Sequence, residues 1–328
     1  MKVLVPGGAG YVGSRLIPLL LDKGYEVVVL DLYLYGRDLF KGLKGDLTEI
    51  QGDIRNLALV KKALKGVDAV IHLACISNDP SFELNPDLGK SINLDCFKPF
   101  VSAAKEAGVQ RFIYASSSSV YGVKSELNVT EDMSLEPLTD YSRFKAECEK
   151  ILLKEAKDDF ICTVLRPATV CGYAPRQRLD VVVNILTSLA FHTGKVKVMG
   201  GDQMRPNIHI DDMVRCYLHV LEQPVEKVNY KTFNAGYHNH TVRNLGEIVA
   251  AVVGKKRAVE LVVEPTNDNR SYHISSAKIE NELGFRSLYT IEDAVESLVK
   301  AFESGDLPDA LTDDRYYNIK TMKTANLQ

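Results

Sequence analysis

Tyr141 and Lys145 stand four residues apart in the stretch DYSRFKAE. On a helix that spacing puts both on one face, about one turn apart. An ammonium beside a phenol favours the phenolate and draws a phenol's pKa from about 10 toward working pH, which a general base for an alcohol requires. The spacing is common by itself: Tyr316 and Lys320 in DRYYNIK repeat it, with nothing around them that implies chemistry. Context separates the two copies. Upstream of Tyr141 runs RFIYASSSSVYG, an apolar stretch ending in four serines, Ser116 to Ser119. Such a run reads as a flexible linker, as a phosphorylated loop, or as a strand end that presents hydroxyls at the ligand-binding edge of an α/β sheet.

A second chemical feature opens the chain. VLVPGGAGYVGSRL carries Gly7, Gly10 and Gly13 between a first strand and a first helix. Glycines there let backbone approach a pyrophosphate, and the helix N-terminus offers unpaired N–H groups and a positive dipole. The next strand ends at Asp31, 18 residues past Gly13, where a carboxylate accepts ribose hydroxyls and repels a 2′-phosphate, so NAD is favoured over NADP. Asp53 in QGDIRN follows a third strand and reads either as a contact to the adenine edge or as the N-cap of the helix after it.

The elements needed to position these groups are legible from periodicity. Short β-branched runs (KVLV, EVVVLD, DAVIHLA, RFIYAS, FICTVLRP) alternate with helical patterns, which implies βαβ crossovers and a parallel sheet covered on both faces. The spacing predicts one helix over DLGKSINLDCFKPFVSAAKEAG, with Pro99 as a site of kinking, and another over DYSRFKAECEKILLKEA. Gly24 and Gly108 fall where helices would end. Beyond about Arg166 the rhythm loosens into an Arg-containing loop, a strand entering a helix capped by Asp211, and a smaller, mainly helical lobe. The expected division is a Rossmann-type doubly wound domain over 1–170, to which about 207–234 returns, and a substrate lobe over 171–206 and 235–328.

Composition narrows the partners. The 328 residues are 45% hydrophobic and 25% charged, enough for a large core, and the net charge is −3 with Lys and Arg scattered. No basic stripe offers itself to nucleic acid. Six cysteines without paired spacing read as reduced residues of a reducing compartment, and no zinc-like pattern appears. The first residues enter a strand without a signal-type apolar segment, and no apolar run reaches the about 18 residues a membrane span needs. The expectation is a cytoplasmic protein without metal, membrane or nucleic acid. His72, His209 and His219 read as structural, because their spacing suits no metal site.

Taken together, GGAGYVG (with Tyr11 and Val12), Asp31, GDIR with Ile54, HLA with Leu73 and Ala74, Asn93, SSSSVYG and YSRFK resemble, in order and context, the extended short-chain dehydrogenase/reductases, specifically the NAD-dependent sugar-nucleotide epimerase/dehydratase family. The resemblance runs from Met1 to about Ala301. It implies that Ser117 hydrogen-bonds the substrate hydroxyl beside Ser118, that Tyr141 is the base, and that Lys145 also binds the nicotinamide ribose. It further implies that Arg205 and Arg270 clamp nucleotide phosphates, with Arg176, Arg178 and Asn184 as further candidates. Three departures stand out. Ser118 and Ser119 replace the Asp-Glu pair of the 4,6-dehydratases, which removes the proton shuttle for β-elimination. Pro6 and Thr169 stand where the family often has Thr and Asn. The resulting expectation is an NAD-dependent epimerase of a nucleoside-diphosphate sugar working at C4. A sugar-nucleotide dehydrogenase or dehydratase is the nearest rival, and a non-catalytic NAD-binding regulator is the rival of another class. Family members commonly pair through two helices, here about 90–107 and 140–156, so a homodimer is expected with Phe97, Phe100, Val101, Ile151 and Leu152 in the contact.

Overall fold

Val3, Leu4 and Val5 are fully buried, as a strand with no polar face must be. They lie in β1 (Lys2–Pro6) of a computed structural model that describes residues 1–77, 79–126, 128–266 and 271–325. There follow β2 (Glu26–Asp31), β3 (Leu47–Gln51), β4 (Ala69–His72), β5 (Arg111–Ala115) and β6 (Ile161–Pro167). The second half adds β7 (Thr169–Cys171), β8 (Lys195–Met199), β9 (Met204–His209), β10 (Lys231–Ala235), β11 (Asn239–Thr241) and β12 (Glu260–Glu264). Among the described residues seven strands form one parallel sheet in the order β10-β6-β5-β4-β1-β2-β3. This is the doubly wound order, with the reversal between β1 and β4, and the crevice at the carboxyl ends of those strands is where such sheets bind ligands.

Both faces are covered. Helices Gly13–Asp22 and Ile210–Glu222 pack together on one face over Val3, Val5 and Ile71; Phe97–Glu106 and Asp140–Glu155 cover the other over Leu4, Val70 and Phe112. Four of the apolar residues expected in a dimer contact belong to this second layer: Phe97, Phe100, Val101 and Leu152 are at most 1% exposed, and Ile151 packs partly buried beside them. They face the home sheet because its β-branched surface needs that cover, so they are not available to a partner.

Two further corrections are local. The predicted helix over 87–108 is divided into Pro86–Lys90, a π-helical turn Ser91–Asp95 and Phe97–Glu106. The Cys96 N–H reaches back five residues to the Ser91 carbonyl at 3.3 Å, and Pro99 has no N–H for the Asp95 carbonyl, so a regular ladder cannot pass through this point. The helix Ile210–Glu222 is capped by His209, whose Nδ1 accepts the Asp211 N–H at 3.1 Å. Asp211 instead sits in the first turn and accepts from Arg15 Nε at 2.9 Å.

The strands left out of the large sheet, together with three helices, make up the upper elements. β8 and β12 pair in parallel, and β7, β9 and β11 form a three-stranded sheet. Helices Val182–Thr193, Val242–Gly254 and Ile291–Ser304 enclose a core of their own around Val183, Leu245 and Val295.

Candidate active site

Pro6 ends β1, and Gly7, at φ 76°, turns the chain. A Cβ on Gly7 would come within 2.6 Å of the Ala74 backbone, and one on Gly13 within 2.1 Å of the Gly8 carbonyl oxygen; on Gly10 it would sit 3.1 Å from the Gly7 oxygen. The turn is therefore closed by backbone on both sides and forms a cradle without side chains at the start of helix Gly13–Asp22, whose N-terminal N–H groups suit a phosphate. At the end of β2, Asp31 Oδ2 accepts the Ala9 N–H at 3.0 Å and Oδ1 the Tyr33 N–H at 2.8 Å. Burial raises the Asp31 pKa while these N–H bonds oppose it. The carboxylate is fixed beside the glycine turn, as recognition of a ribose demands.

A cavity of about 540 Å³ starts here and runs along the carboxyl ends of the strands. Gly7, Gly10, Tyr11, Val12, Gly13 and Asp31 line one end of it, followed by Asp53, Ile54, Leu73 and Ala74. Asp53 does not cap the following helix: that role falls to Asn56, which accepts the Leu59 N–H at 3.2 Å. Asp53 instead pairs with Arg55, Nη2 to Oδ2 at 2.6 Å. Burial alone would raise its pKa, but the bonds from Arg55 prevail and hold it below the usual carboxylate range.

At the far end are Ser117, Ser118, Tyr141 and Lys145. A capping box of Thr139 and Ser142 starts the helix Asp140–Glu155, so Tyr141 and Lys145 fall on one face at its first turns. Lys145 is 3% exposed, and its Nζ donates to the Ala115 carbonyl at 2.6 Å, 5.9 Å from the centre of the Tyr141 ring. The serine run is not a linker. Ser116 donates to the buried Glu149 carboxylate, Ser117 Oγ accepts the Ser119 N–H at 3.2 Å and lies 2.9 Å from Ser119 Oγ, and Ser118 is buried on the cavity wall. The carboxylates among the described lining residues are Asp31, Asp53 and Asp180, and Asp180 accepts from Arg178 Nε at 2.6 Å.

Arg178, Arg205 and Thr169 line the cavity from the upper elements. Arg205 Nη1 donates to the Met204 carbonyl at 2.9 Å. Arg270 lies outside the described residues. Two predicted contacts are absent from the lining. Asn93 is buried with its amide bonded to both backbone groups of Ile76, at 2.8 and 2.9 Å. Asn184 accepts the Gly172 N–H at 3.0 Å and donates to Tyr11 Oη at 3.1 Å and the Arg178 carbonyl at 2.7 Å. Both amides hold the walls rather than face the cavity. Tyr316 and Lys320 do not line it, but their neighbours Asn318 and Met322 do, together with Tyr35, Ser77 and Arg176. No spacing in the sequence signals that a segment so late in the chain reaches the glycine-turn end.

The imidazoles of His72, His209 and His219 are built into the fold. His72 sits in an aromatic cluster, His209 caps its helix, and His219 Nε2 lies 2.8 Å from the Leu283 carbonyl. Among the described residues no His, Cys, Asp or Glu group could hold a metal, and no helix is long and apolar enough to cross a membrane.

Comparison with known proteins gives this geometry a family. The model of the NAD dependent epimerase/dehydratase family matches residues 3–236. A UDP-glucose 4-epimerase of Lactobacillus helveticus is 28% identical, the match covering 93% of this chain and 98% of the relative. Among solved structures, the UDP-glucose 4-epimerase of Thermotoga maritima with UDP-glucose superposes with a TM-score of 0.82 at 25% identity, over 93% of this chain and 99% of that one. The dTDP-glucose 4,6-dehydratase DesIV of Streptomyces venezuelae, with NAD and TYD bound, gives a TM-score of 0.83 at 26% identity, over 95% of this chain and all of that one. The backbone-filled glycine cradle and the fixed Asp31 carboxylate fit NAD, the cofactor of the family.

Proposed function

Because the chain belongs to the NAD dependent epimerase/dehydratase family, we propose that it is an NAD-dependent epimerase that inverts C4 of a nucleoside-diphosphate sugar through a 4-keto intermediate. The observation that carries this reading is that Ser117, Tyr141 and Lys145 share one cavity with the glycine turn and Asp31. NAD, when bound, takes up a hydride from the sugar and gives it back. Tyr141 accepts the proton of the 4-hydroxyl while Ser117 shares that hydrogen bond. The buried Lys145 ammonium favours the phenolate form of Tyr141, and Arg178 and Arg205 (with Arg270, by resemblance) receive the diphosphate. Inversion would require the keto sugar to turn over in the cavity before the hydride is given back to its opposite face, and Tyr141 would return the proton to the oxygen. Ser118 and Ser119, in place of a titratable pair, support epimerisation over dehydration.

Tyr141→Phe should cut turnover by about 10²–10⁴-fold and leave NAD affinity nearly unchanged. Turnover is followed by the anomeric proton signal across a panel of NDP-sugars; unaltered turnover removes Tyr141 from the chemistry. Net absorbance at 340 nm, one NADH per sugar, would move the assignment to a dehydrogenase. A lack of any turnover combined with NAD-dependent binding to another protein would move it to a regulator.

The proposed division is a Rossmann domain over 1–170 joined by about 207–234, with 171–206 and 235–328 as substrate lobe; the separate core around Val183 and Leu245 supports it. A cytoplasmic location is supported by six cysteines that are all free thiols. A homodimer rests on the family resemblance, with the contact moved to the outward residues of the two helices, such as Lys98, Ser102, Glu147 and Lys150.

A further inference from the structure

Arg176 is 6% exposed, lines the cavity, and has an Nε without a hydrogen-bond partner among the described residues. Other parts of its guanidinium are engaged. Nη2 donates to Asn318 Oδ1 at 2.6 Å, and Cζ lies 3.4 Å from the centre of the Tyr35 ring. The same Asn318 oxygen accepts the Tyr35 hydroxyl at 3.2 Å, and Asn318 itself is anchored by its N–H to Asp180 Oδ2 at 2.8 Å and by Nδ2 to Ser77 Oγ at 2.9 Å. A buried cation with one unsatisfied donor is costly to keep unless something completes it.

Its place in the cleft identifies what completes it. The Arg176 N–H donates to Ser14 Oγ at 3.3 Å, in the first turn of the helix that follows the glycine turn. Tyr35 lies four residues past Asp31, and Asp31 attracts Arg176 through space, although its own oxygens are engaged by Ala9 and Tyr33. Arg178, two residues on, turns instead to Ser77 and Asp180. Arg176 thus belongs to the ribose and phosphate end of the cavity and not to the Ser117 end.

We propose that Arg176 is a cofactor-binding residue whose Nε donates to the phosphates of the adenosine half of NAD, and that Asn318 and Tyr35 are positioning residues that hold its guanidinium there. This rests on the NAD cleft and is independent of whether the enzyme epimerises or dehydrogenates.

The test is binding of NADH, followed by its emission in a chain that has no Trp, and of ADP-ribose and UDP, followed by calorimetry. Arg176→Met should weaken NADH and ADP-ribose by one common factor of about 10–100, as the loss of a charge-assisted hydrogen bond implies, with UDP affinity preserved. Arg176→Lys should recover part of the loss. Asn318→Ala, which keeps the cation and frees it, should weaken both adenine ligands by a smaller factor, with UDP affinity preserved. Undiminished ADP-ribose affinity in Arg176→Met overturns the assignment, as it does in Asn318→Ala should Arg176→Met not fold. Loss of UDP affinity with ADP-ribose retained overturns it too, since Arg176 would then serve the sugar nucleotide.

Discussion

A histidine can sit among aromatic rings with no acceptor or water only as the neutral ring. His72 is 3% exposed at the end of β4, and neither ring nitrogen has a partner among the described residues. Phe97, Phe100, Phe112 and Tyr114 surround it with ring centres 5.0–6.0 Å away. Burial, assisted by the Lys145 charge, pulls its pKa from 6.5 to about 3. Between those values the unfolded chain binds a proton that the folded chain does not, so stability rises with pH through this window and is lost as pH falls toward 3. The slope is at most about 1.4 kcal/mol per pH unit. His72→Phe, which matches its surroundings, should therefore gain on the wild type by about 2 kcal/mol at pH 5 relative to pH 7, read from urea midpoints. A difference that stays constant with pH would mean that the ring is not held neutral. At this scale Asp31, Ser117, Tyr141 and Lys145 were legible in the sequence as residues that would share one cavity, and the roles of amides were not. Asn93 and Asn184 occupy positions that the motifs pointed to, but an amide serves a backbone and a ligand equally well, and only the folded chain shows which it meets.

The strand end and helix that carry Ser117 and Tyr141 are fixed to each other by a buried polar network. Ser116 donates to Glu149, Arg166 pairs with Glu149 at 2.7 Å, and Arg166 Nη1 donates to Tyr121 Oη at 2.7 Å, which in turn donates to Asn234 Oδ1 at 2.7 Å. One chain of bonds thus ties β5, the helix Asp140–Glu155, β6 and β10. Glu149→Gln leaves the Arg166 cation buried without its counter-charge and should cost about 3–5 kcal/mol, measured by chemical denaturation. Glu149→Leu with Arg166→Met should restore a good part of this, because no buried charge is then left alone. A cost below about 1 kcal/mol for Glu149→Gln would show that the network is not what holds the strand to the helix. The strands and helices themselves were readable from period and from βαβ alternation. The π-helical turn before Pro99 and the His209 cap were not, because each depends on a backbone bond chosen in competition with a stronger local signal.

The upper elements and the main sheet have separate cores, around Val183 and Leu245 in one and Val3 and Leu4 in the other, and the cavity lies where they meet. The homodimer proposed above has to use polar outer helix faces, since Phe97, Phe100, Val101 and Leu152 are buried at home. Light scattering should give twice the chain mass at low salt and a lower mass as salt rises and screens Lys98, Glu147 and Lys150; a single-chain mass at all salt concentrations removes the dimer. The parallel, doubly wound class of the large sheet was anticipated by the alternation of KVLV, EVVVLD, DAVIHLA, RFIYAS and FICTVLRP with helical stretches. The reach of the segment around Asn318 into the cleft was not, because a few late residues without periodicity carry no sign of the distant surface they complete. That reach has a consequence in time. The cleft joins groups near the start of the chain, Gly7 to Gly13, to Asn318 and Met322, so during synthesis the first βαβ units can form while one wall of their pocket has yet to be made.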